Sequence, residues 1–169
     1  MKKGYLYLFI GIMLIFFSLG ITIFDLMINI IGYGLMILGI FLILKRRESN
    51  SLIMASQLTI GLLLFELLQV GISRVILSNP LLSILIMTLI LVVQLSIFYL
   101  IIKAEGDATE SLDVQTYQQA ELLFSIALLF LYFISYFSTF AFTLFSILNL
   151  CFYIFIIHVF YKLLIMYQH

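Results

Sequence analysis

Three long apolar blocks, separated by short polar stretches, determine how the chain is organised. Each block is long enough for a helical hairpin across a hydrocarbon layer of about 30 Å. The first two blocks contain central polar residues that mark a turn, Asp25 and Asn29 in the first and Ser78-Asn79-Pro80 in the second. The blocks run from Gly4 to Leu44, from Leu52 to Ile102 and from Leu122 to Tyr161.

The third block contains no charged residue, glycine or proline to mark its turn. As one helix it would reach about 60 Å, twice the thickness of the hydrocarbon layer, so we expect a turn near Ser138-Thr139. Helices are favoured because lipid tolerates no unpaired backbone and the segments lack the alternation of a barrel strand. The sequence predicts an all-α polytopic integral membrane helical bundle, with six transmembrane helices as three hairpins in a single domain over 1–169. The predicted spans are 5–24, 26–44, 52–75, 81–102, 122–139 and 143–161.

Composition excludes a water-soluble domain, because 65% of the residues are hydrophobic and only 9% are charged. The lipid bilayer is therefore the expected environment. The formal net charge is zero, which leaves no basic surface for a nucleic-acid backbone. Cys151 has no second cysteine to pair with and no companions at zinc spacing. We therefore expect no nucleic acid, no metal and no cofactor.

Basic residues indicate the orientation in the membrane. With six spans, nearly all of them fall on one side, which the positive-inside rule makes cytoplasmic. Both termini are then cytoplasmic, and Arg74 lies toward the other side. The run from Tyr5 to Phe24 is longer than the core of a secretory signal and precedes no small-residue cleavage site, so it is expected to stay as a spanning helix. The residues on the basic side are Lys2, Lys3, Lys45, Arg46, Arg47, Lys103 and Lys162.

The longest polar stretch, 103–121, predicts an acidic cytoplasmic loop. Asp107-x-x-Glu110 resembles a helix capping box, and no helix breaker separates it from the fifth span. We therefore expect a cytoplasmic helix continuous with that span, which is either an interaction surface or a solvated helix without a partner. Its acidic residues are Glu105, Asp107, Glu110, Asp113 and Glu121.

Glu66 is the one acidic residue predicted deep within a span, and charge there is costly enough to suggest a function. Thr59, Gln69 and Ser73 lie at offsets that place them on the same helix face. This polar stripe predicts either a proton- or cation-responsive group in an aqueous cavity or hydrogen bonds that pack the helix against its neighbours. Arg74 is expected at the outer interface, where Asp25 would lie at a similar depth as a possible ion-pair partner.

Polar residues also recur at helical spacing in the last two spans. Together with Gln94 in the fourth span they predict either a central cavity for a small polar or aromatic ligand or hydrogen bonds between helices. The residues are Ser125, Tyr132, Tyr136 and Thr139 in the fifth span and Ser146, Asn149 and Tyr153 in the sixth.

Small residues spaced by four and seven positions predict close packing of the first hairpin. In the first span they are Gly4, Gly11, Ser18, Thr22 and Asp25, and in the second they are Gly32 and Gly39.

The chain contains none of the common short catalytic or nucleotide-binding motifs. Cys151 and His158 are two turns apart on one helix, beyond hydrogen-bond reach. The sequence therefore predicts a protein that is not an enzyme.

The start of the chain resembles a family of small multi-pass membrane proteins, with no assigned activity, from low-GC Gram-positive bacteria. The resemblance rests on Lys2-Lys3-Gly4-Tyr5-Leu6, on Ile31-Gly32-Tyr33-Gly34-Leu35 and on Gly39, within the first quarter of the chain. That family has an Asp-x-x-Pro-Asp-x-x-Gly-Tyr-like turn, whereas here the proline is missing and Asn29 replaces an aspartate. The resemblance implies a multi-pass protein of the bacterial inner membrane.

Six spans in a short chain also look like the substrate-binding subunits of energy-coupling-factor vitamin transporters. The Ala-x-x-x-Ala contact surface of that family is absent from the first span, and Ala104 and Ala108 have its spacing in the polar stretch instead. Two functional hypotheses follow. The first is a non-enzymatic structural, regulatory or accessory subunit that binds a membrane-protein partner or a second copy. The second is a small transporter or solute-binding component that uses Glu66, Gln69, Tyr132 and Tyr136 for a ligand whose identity is unknown.

Overall fold

The computed structural model describes residues 1–17, 23–78, 80–109 and 111–167, with side chains described over 1–17, 26–68, 82–109 and 111–167. These residues form six helices and no strand, which confirms the predicted all-α bundle. The helices are α1 (Lys2–Phe17), α2 (Ile23–Leu44), α3 (Asn50–Ser78), α4 (Pro80–Thr109), α5 (Leu112–Ser135) and α6 (Thr139–Met166).

Five of the helices, α2 to α6, are long and apolar enough to cross a membrane. The described part of α1 has 16 residues, or about 24 Å. Large apolar side chains remain exposed along the outside of the bundle, on a scale that water would not tolerate but lipid does. Examples are Leu38, Leu68, Leu85, Phe133 and Ile154.

The helices form a closed ring in chain order. Each packs against the next, and α1 packs against α6 to close the ring. Because the chain runs up and down, the start of α1 and the ends of α2, α4 and α6 meet at one end of the bundle. We call this the basic end, since Lys2, Lys3, Lys45, Arg46 and Arg47 lie there.

The closest packing in the ring joins α1 to α2 through the predicted glycine seam. A Cβ added to Gly39 would lie 2.7 Å from the carbonyl oxygen of Gly4, and one added to Gly11 would lie 2.6 Å from that of Gly32. Glycine is required at these positions because the two backbones touch. The seam is confirmed at these four residues. Its other members, Ser18, Thr22 and the side chain of Asp25, lie outside the described residues.

The stretch 103–121 is partly as predicted: α5 begins at Leu112 and is continuous with the fifth span, as expected, but the start of the stretch belongs to α4 and is not a loop. Helix α4 continues to Thr109 and α5 begins at Leu112, so most of this stretch is helical. Asp107 lies inside α4, and therefore the Asp107-x-x-Glu110 pattern does not cap α5; Ser111 is the N-cap residue, without a capping side-chain hydrogen bond. Helices extend here because Ala104 and Val114 are buried between them, and apolar packing outweighs the polar composition.

The glycine seam is tested by comparing two substitutions in α2. Gly39→Ala should lower the free energy of unfolding by about 1–3 kcal/mol, since its Cβ meets the backbone of Gly4 and Leu8. Gly34→Ala adds the same methyl group where nothing lies within 4 Å, so higher helix propensity should leave stability unchanged or slightly raised. Thermal unfolding in detergent, followed by circular dichroism, measures both. Equal melting temperatures for the two variants would contradict close packing at the seam.

Candidate functional site

A fully buried carboxylate, Glu105, lies at the basic end of the bundle and receives donors from three other parts of the chain. Its Oε1 atom accepts hydrogen bonds from the Tyr5 hydroxyl and, at 2.5 Å, from Nη2 of Arg47. Its Oε2 atom accepts one from the Tyr167 hydroxyl at 2.8 Å. Arg47 Nη2 also donates to the carbonyl oxygen of Ala104 at 3.0 Å. We call Tyr5, Arg47, Glu105 and Tyr167 the Glu105 cluster.

The up-and-down topology brings the members of the Glu105 cluster together. Tyr5 lies in the first turn of α1, Arg47 follows α2, Glu105 lies near the end of α4, and Tyr167 is the C-cap residue of α6. The rings of Tyr5 and Tyr167 stack with centroids 4.9 Å apart and planes within 1° of parallel. The cluster therefore joins four helix ends at a single carboxylate.

The electrostatics of the cluster keep Arg47 charged and Tyr167 protonated around neutral pH. Burial lowers the pKa of the Arg47 guanidinium, but the Glu105 carboxylate and its hydrogen bond raise it by more, so the net pKa is raised. Burial, with the negative charge of Glu105 beside it, raises the pKa of Tyr167 from 10.0 to about 12. The stabilising contribution of protonated Tyr167 is thus complete below pH 10 and is lost as the pH rises toward 12.

A second polar group lies inside the ring, and we call it the central polar cluster. Asn29 Nδ2 donates to Oε1 of Glu66 at 3.3 Å, and Gln94 Nε2 donates to the Tyr33 hydroxyl at 2.6 Å. Asn29 and Tyr33 lie one turn apart on α2, so the two hydrogen bonds join α2 to α3 and to α4. The members of the cluster are Asn29, Tyr33, Glu66 and Gln94. Tyr153, in α6, is half-buried and its ring lies beside that of Phe16 in α1.

The central polar cluster contains one unsatisfied atom. Glu66 is only 8% exposed, and the Oδ1 atom of the neighbouring Asn29 is buried without a hydrogen-bond partner in the described part of the chain. The Glu66 carboxylate and the unpaired Asn29 Oδ1 atom are both acceptors, and together they have acceptor positions without a donor. This pair is therefore the part of the cluster best suited to a cation or a hydrogen-bond donor.

The structure also gives the burial or the hydrogen-bond partners of other residues predicted for the intramembrane site. Thr59 is buried but donates to the carbonyl oxygen of Ala55 in its own helix, at 2.7 Å. The hydroxyl of Tyr136, the C-cap residue of α5, donates to that of Tyr132 at 2.5 Å. Asn149 is half-buried in α6. The side chains of Gln69, Ser73, Asp25 and Arg74, and with them the proposed outer ion pair, lie outside the described residues.

A groove of about 440 Å³ opens on the side of the bundle between α3, α4 and α5. Its lining is mainly apolar, with Ser96 and Tyr99 from α4 and Glu121 and Ser125 from α5. Glu121 is fully buried; its Oε1 atom accepts a hydrogen bond from Ser125 at 2.8 Å, whereas Oε2 has no partner among the described residues. We call this feature the α5 groove.

The Glu105 cluster and the burial of Glu121 are not predicted from the sequence. Glu105 and Glu121 fall in a stretch predicted to be acidic and cytoplasmic, whereas both are fully buried. Arg47 predicts only the orientation. One signal for the Arg47–Glu105 pair is present in the sequence. Both residues follow an even-numbered span, so their opposite charges are predicted on the same side of the membrane. Over the described residues no three histidine, cysteine, aspartate or glutamate side chains form a group able to hold a metal ion.

The fold and these polar groups define the class as a closed, six-helix bundle compatible with an integral membrane protein. Comparisons of the chain with protein-family models, with curated proteins and with solved structures found no match.

Removal of the Glu105 charge tests the cluster. Glu105→Gln leaves Arg47 partly buried without a counter-charge and should lower the free energy of unfolding by about 3 kcal/mol, the lower end of the range because Arg47 keeps some contact with solvent. Glu48→Gln removes an exposed acid one residue from Arg47 and should leave stability nearly unchanged. Denaturation in detergent measures both losses. The double variant with Glu105→Gln and Arg47→Gln should be more stable than Glu105→Gln alone. A loss of stability in the double variant equal to the sum of the two single losses would contradict the pairing.

Proposed function

We propose that the protein is a non-enzymatic membrane subunit with a structural, regulatory or accessory role. The observation that carries this proposal is the use of interior polar side chains to join helices to one another. Glu66 binds Asn29, Gln94 binds Tyr33, and Glu105 binds donors from three other chain segments. Interior side chains that hydrogen-bond to one another stabilise a single arrangement of the ring. A scaffold for a membrane-protein partner or a second copy requires such a fixed arrangement.

The membrane that fits the proposal is the bacterial inner membrane, with both termini in the cytoplasm. The resemblance of the first hairpin to Gram-positive multi-pass proteins supports this membrane. The basic residues at one end of the ring support the orientation, because Lys and Arg accumulate in short cytoplasmic loops. The Glu105 cluster would then lie at the cytoplasmic end of the bundle.

A solute-binding or transport role, similar to that of an energy-coupling-factor substrate-binding subunit, is the second candidate. The observation that favours it is the unpaired Oδ1 atom of Asn29 beside Glu66. Such an acceptor pair would recognise a cation or a donor-rich solute. Tyr132 and Tyr136, which the sequence predicts for the same ligand site, hydrogen-bond to each other.

Crosslinking and uptake together distinguish the two roles. A short membrane-permeant crosslinker applied to intact membranes should give a product of defined mass that contains this chain and a partner or second copy. Purified wild-type protein and Glu66→Gln in vesicles should show the same background uptake of small cations and polar solutes. Absence of any crosslinked product, combined with wild-type uptake that Glu66→Gln abolishes, would overturn the accessory role and support the second candidate.

The orientation is tested with a single cysteine at the basic end. Glu48→Cys in a Cys151→Ser background should react with a membrane-impermeant maleimide only after the membrane is opened, because position 48 is expected in the cytoplasm. Position 48 is exposed, so the thiol is accessible from its own side. Labelling of intact cells would place position 48 outside the cell and would contradict the proposed orientation.

A further inference from the structure

The exposed charges at the basic end are separated by sign across the ring. Because each helix packs against the next in a closed ring of six, the α1–α2 hairpin and the α4–α5 hairpin lie on opposite sides. Asp107 near the end of α4 and Asp113 in the first turn of α5 are both exposed. The α1–α2 hairpin carries the exposed basic residues Lys2, Lys3, Lys45 and Arg46.

Helical geometry directs charges on both sides away from the ring. Asp107 lies two residues after Glu105, whose side chain is fully buried inside the ring. Two residues correspond to about 200° around a helix, so Asp107 points outward. Lys45 lies two residues after the fully buried Ile43, in a turn that continues the hydrogen bonding of α2. The two sides therefore present opposite charge to a neighbour in the membrane.

The Glu105 cluster sets these charges at a similar depth. The hydrogen bond from the Tyr5 hydroxyl to Glu105 ties the start of α1 to the end of α4. From Tyr5 back to Lys3, and from Glu105 on to Asp107, the chain advances two residues, or about 3 Å, toward the basic end. The long side chain of lysine spans a remaining difference in depth.

Neither set of exposed charges is neutralised within the protein. Over the described ranges the one ion pair joins Arg47 to Glu105, inside the Glu105 cluster. Lys103, one turn before Asp107 on α4, is half-buried and forms no ion pair with it. The outward acids of one side and the outward bases of the other are thus free to pair with another molecule.

The membrane restricts how two copies of this protein can meet. Copies of one chain insert with the same orientation, so only their rotation about the membrane normal differs. A twofold axis would bring like sides together, with base against base or acid against acid. A head-to-tail arrangement instead brings the α1–α2 hairpin of one copy beside the α4–α5 hairpin of the next, where opposite charges meet.

The shapes of the two sides also complement each other. Leu38, seven residues before Lys45 on α2, lies on the same outward face and is 54% exposed. Leu100, seven residues before Asp107 on α4, lines the α5 groove. When the charges pair, Leu38 of one copy therefore lies at the depth of the groove of the next. The groove, of about 440 Å³, is large enough to receive such a side chain.

We propose that copies of this protein associate head to tail in the membrane, with Lys3 and Lys45 of one copy beside Asp107 of the next and Leu38 in the α5 groove. This interface rests on the accessory role proposed above and deepens it, because it identifies the partner as a second copy. An exposed ion pair contributes little by itself, so association needs several pairs and the groove together. Repetition of the contact gives a closed ring of copies or a row.

Complementary charge reversal in vesicles tests the interface. One variant carries Lys3→Glu and Lys45→Glu, and the other carries Asp107→Lys and Asp113→Lys. Each alone should associate about fivefold or more weakly than the wild type, the loss expected from a few exposed ion pairs. An equal mixture of the two should recover association, because the new bases of one meet the new acids of the other. Energy transfer between copies of the purified full chain, labelled at the C-terminus, measures association against the protein-to-lipid ratio.

Two controls and a second measurement keep the test decisive if a reversed variant does not fold. Lys162→Glu reverses an exposed charge at the same end, on α6, and should associate like the wild type. Ser96→Phe fills the α5 groove without altering a charge and should weaken association. For the wild type, raising the ionic strength from about 0.1 M to about 1 M should also weaken association, since the screening length falls from about 10 Å to about 3 Å.

The proposal is overturned if the wild-type protein shows no energy transfer, if high ionic strength or charge reversal leaves the transfer unchanged, or if the mixed variants do not recover it. Absence of transfer together with a crosslinked product that contains a different protein would overturn the head-to-tail interface and leave the accessory role standing.

Discussion

The buried Glu105 carboxylate imposes the constraint on which the arrangement of this bundle depends. Lipid tails are as apolar as leucine, so hydrophobic burial contributes little to helix association inside a membrane, and polar pairing has a larger share. A carboxylate removed from water is costly unless donors reach its oxygens. Tyr5, Arg47 and Tyr167 supply them from three different chain segments. The Glu105 cluster thus fixes the ring at the basic end, where the start of α1 meets the ends of α2, α4 and α6.

The two ways in which helices are joined here complement each other. Along α1 and α2, contact is made by backbone, because Gly4 and Gly39 leave no space for a side chain. Across the interior, long side chains join helices that are not neighbours in the ring. An example is the hydrogen bond from Gln94 of α4 to Tyr33 of α2. Backbone contact fixes one hairpin, and side-chain pairs position the other helices relative to it.

The sequence was informative where a pattern is local and uninformative where a contact is distant. Helix type followed from apolar blocks, and the glycine seam followed from spacing within 39 residues of the chain. Glu105 is separated from Tyr5 by 100 positions and from Arg47 by 58, and no periodicity links them. Local composition also predicted a solvated environment for Glu105 and Glu121, whereas the helices that extend through this polar stretch bury both side chains. The pairing of Asn29 with Glu66 likewise joins separate helices.

The stacked rings of Tyr5 and Tyr167 have a consequence for biosynthesis. Glu105 emerges from the ribosome well before Tyr167, so one of its oxygens must be served by water or lipid headgroups until the end of α6 is made. The ring closes through the packing of α6 against α1. Until α6 is made, the helices that precede it form an open arc.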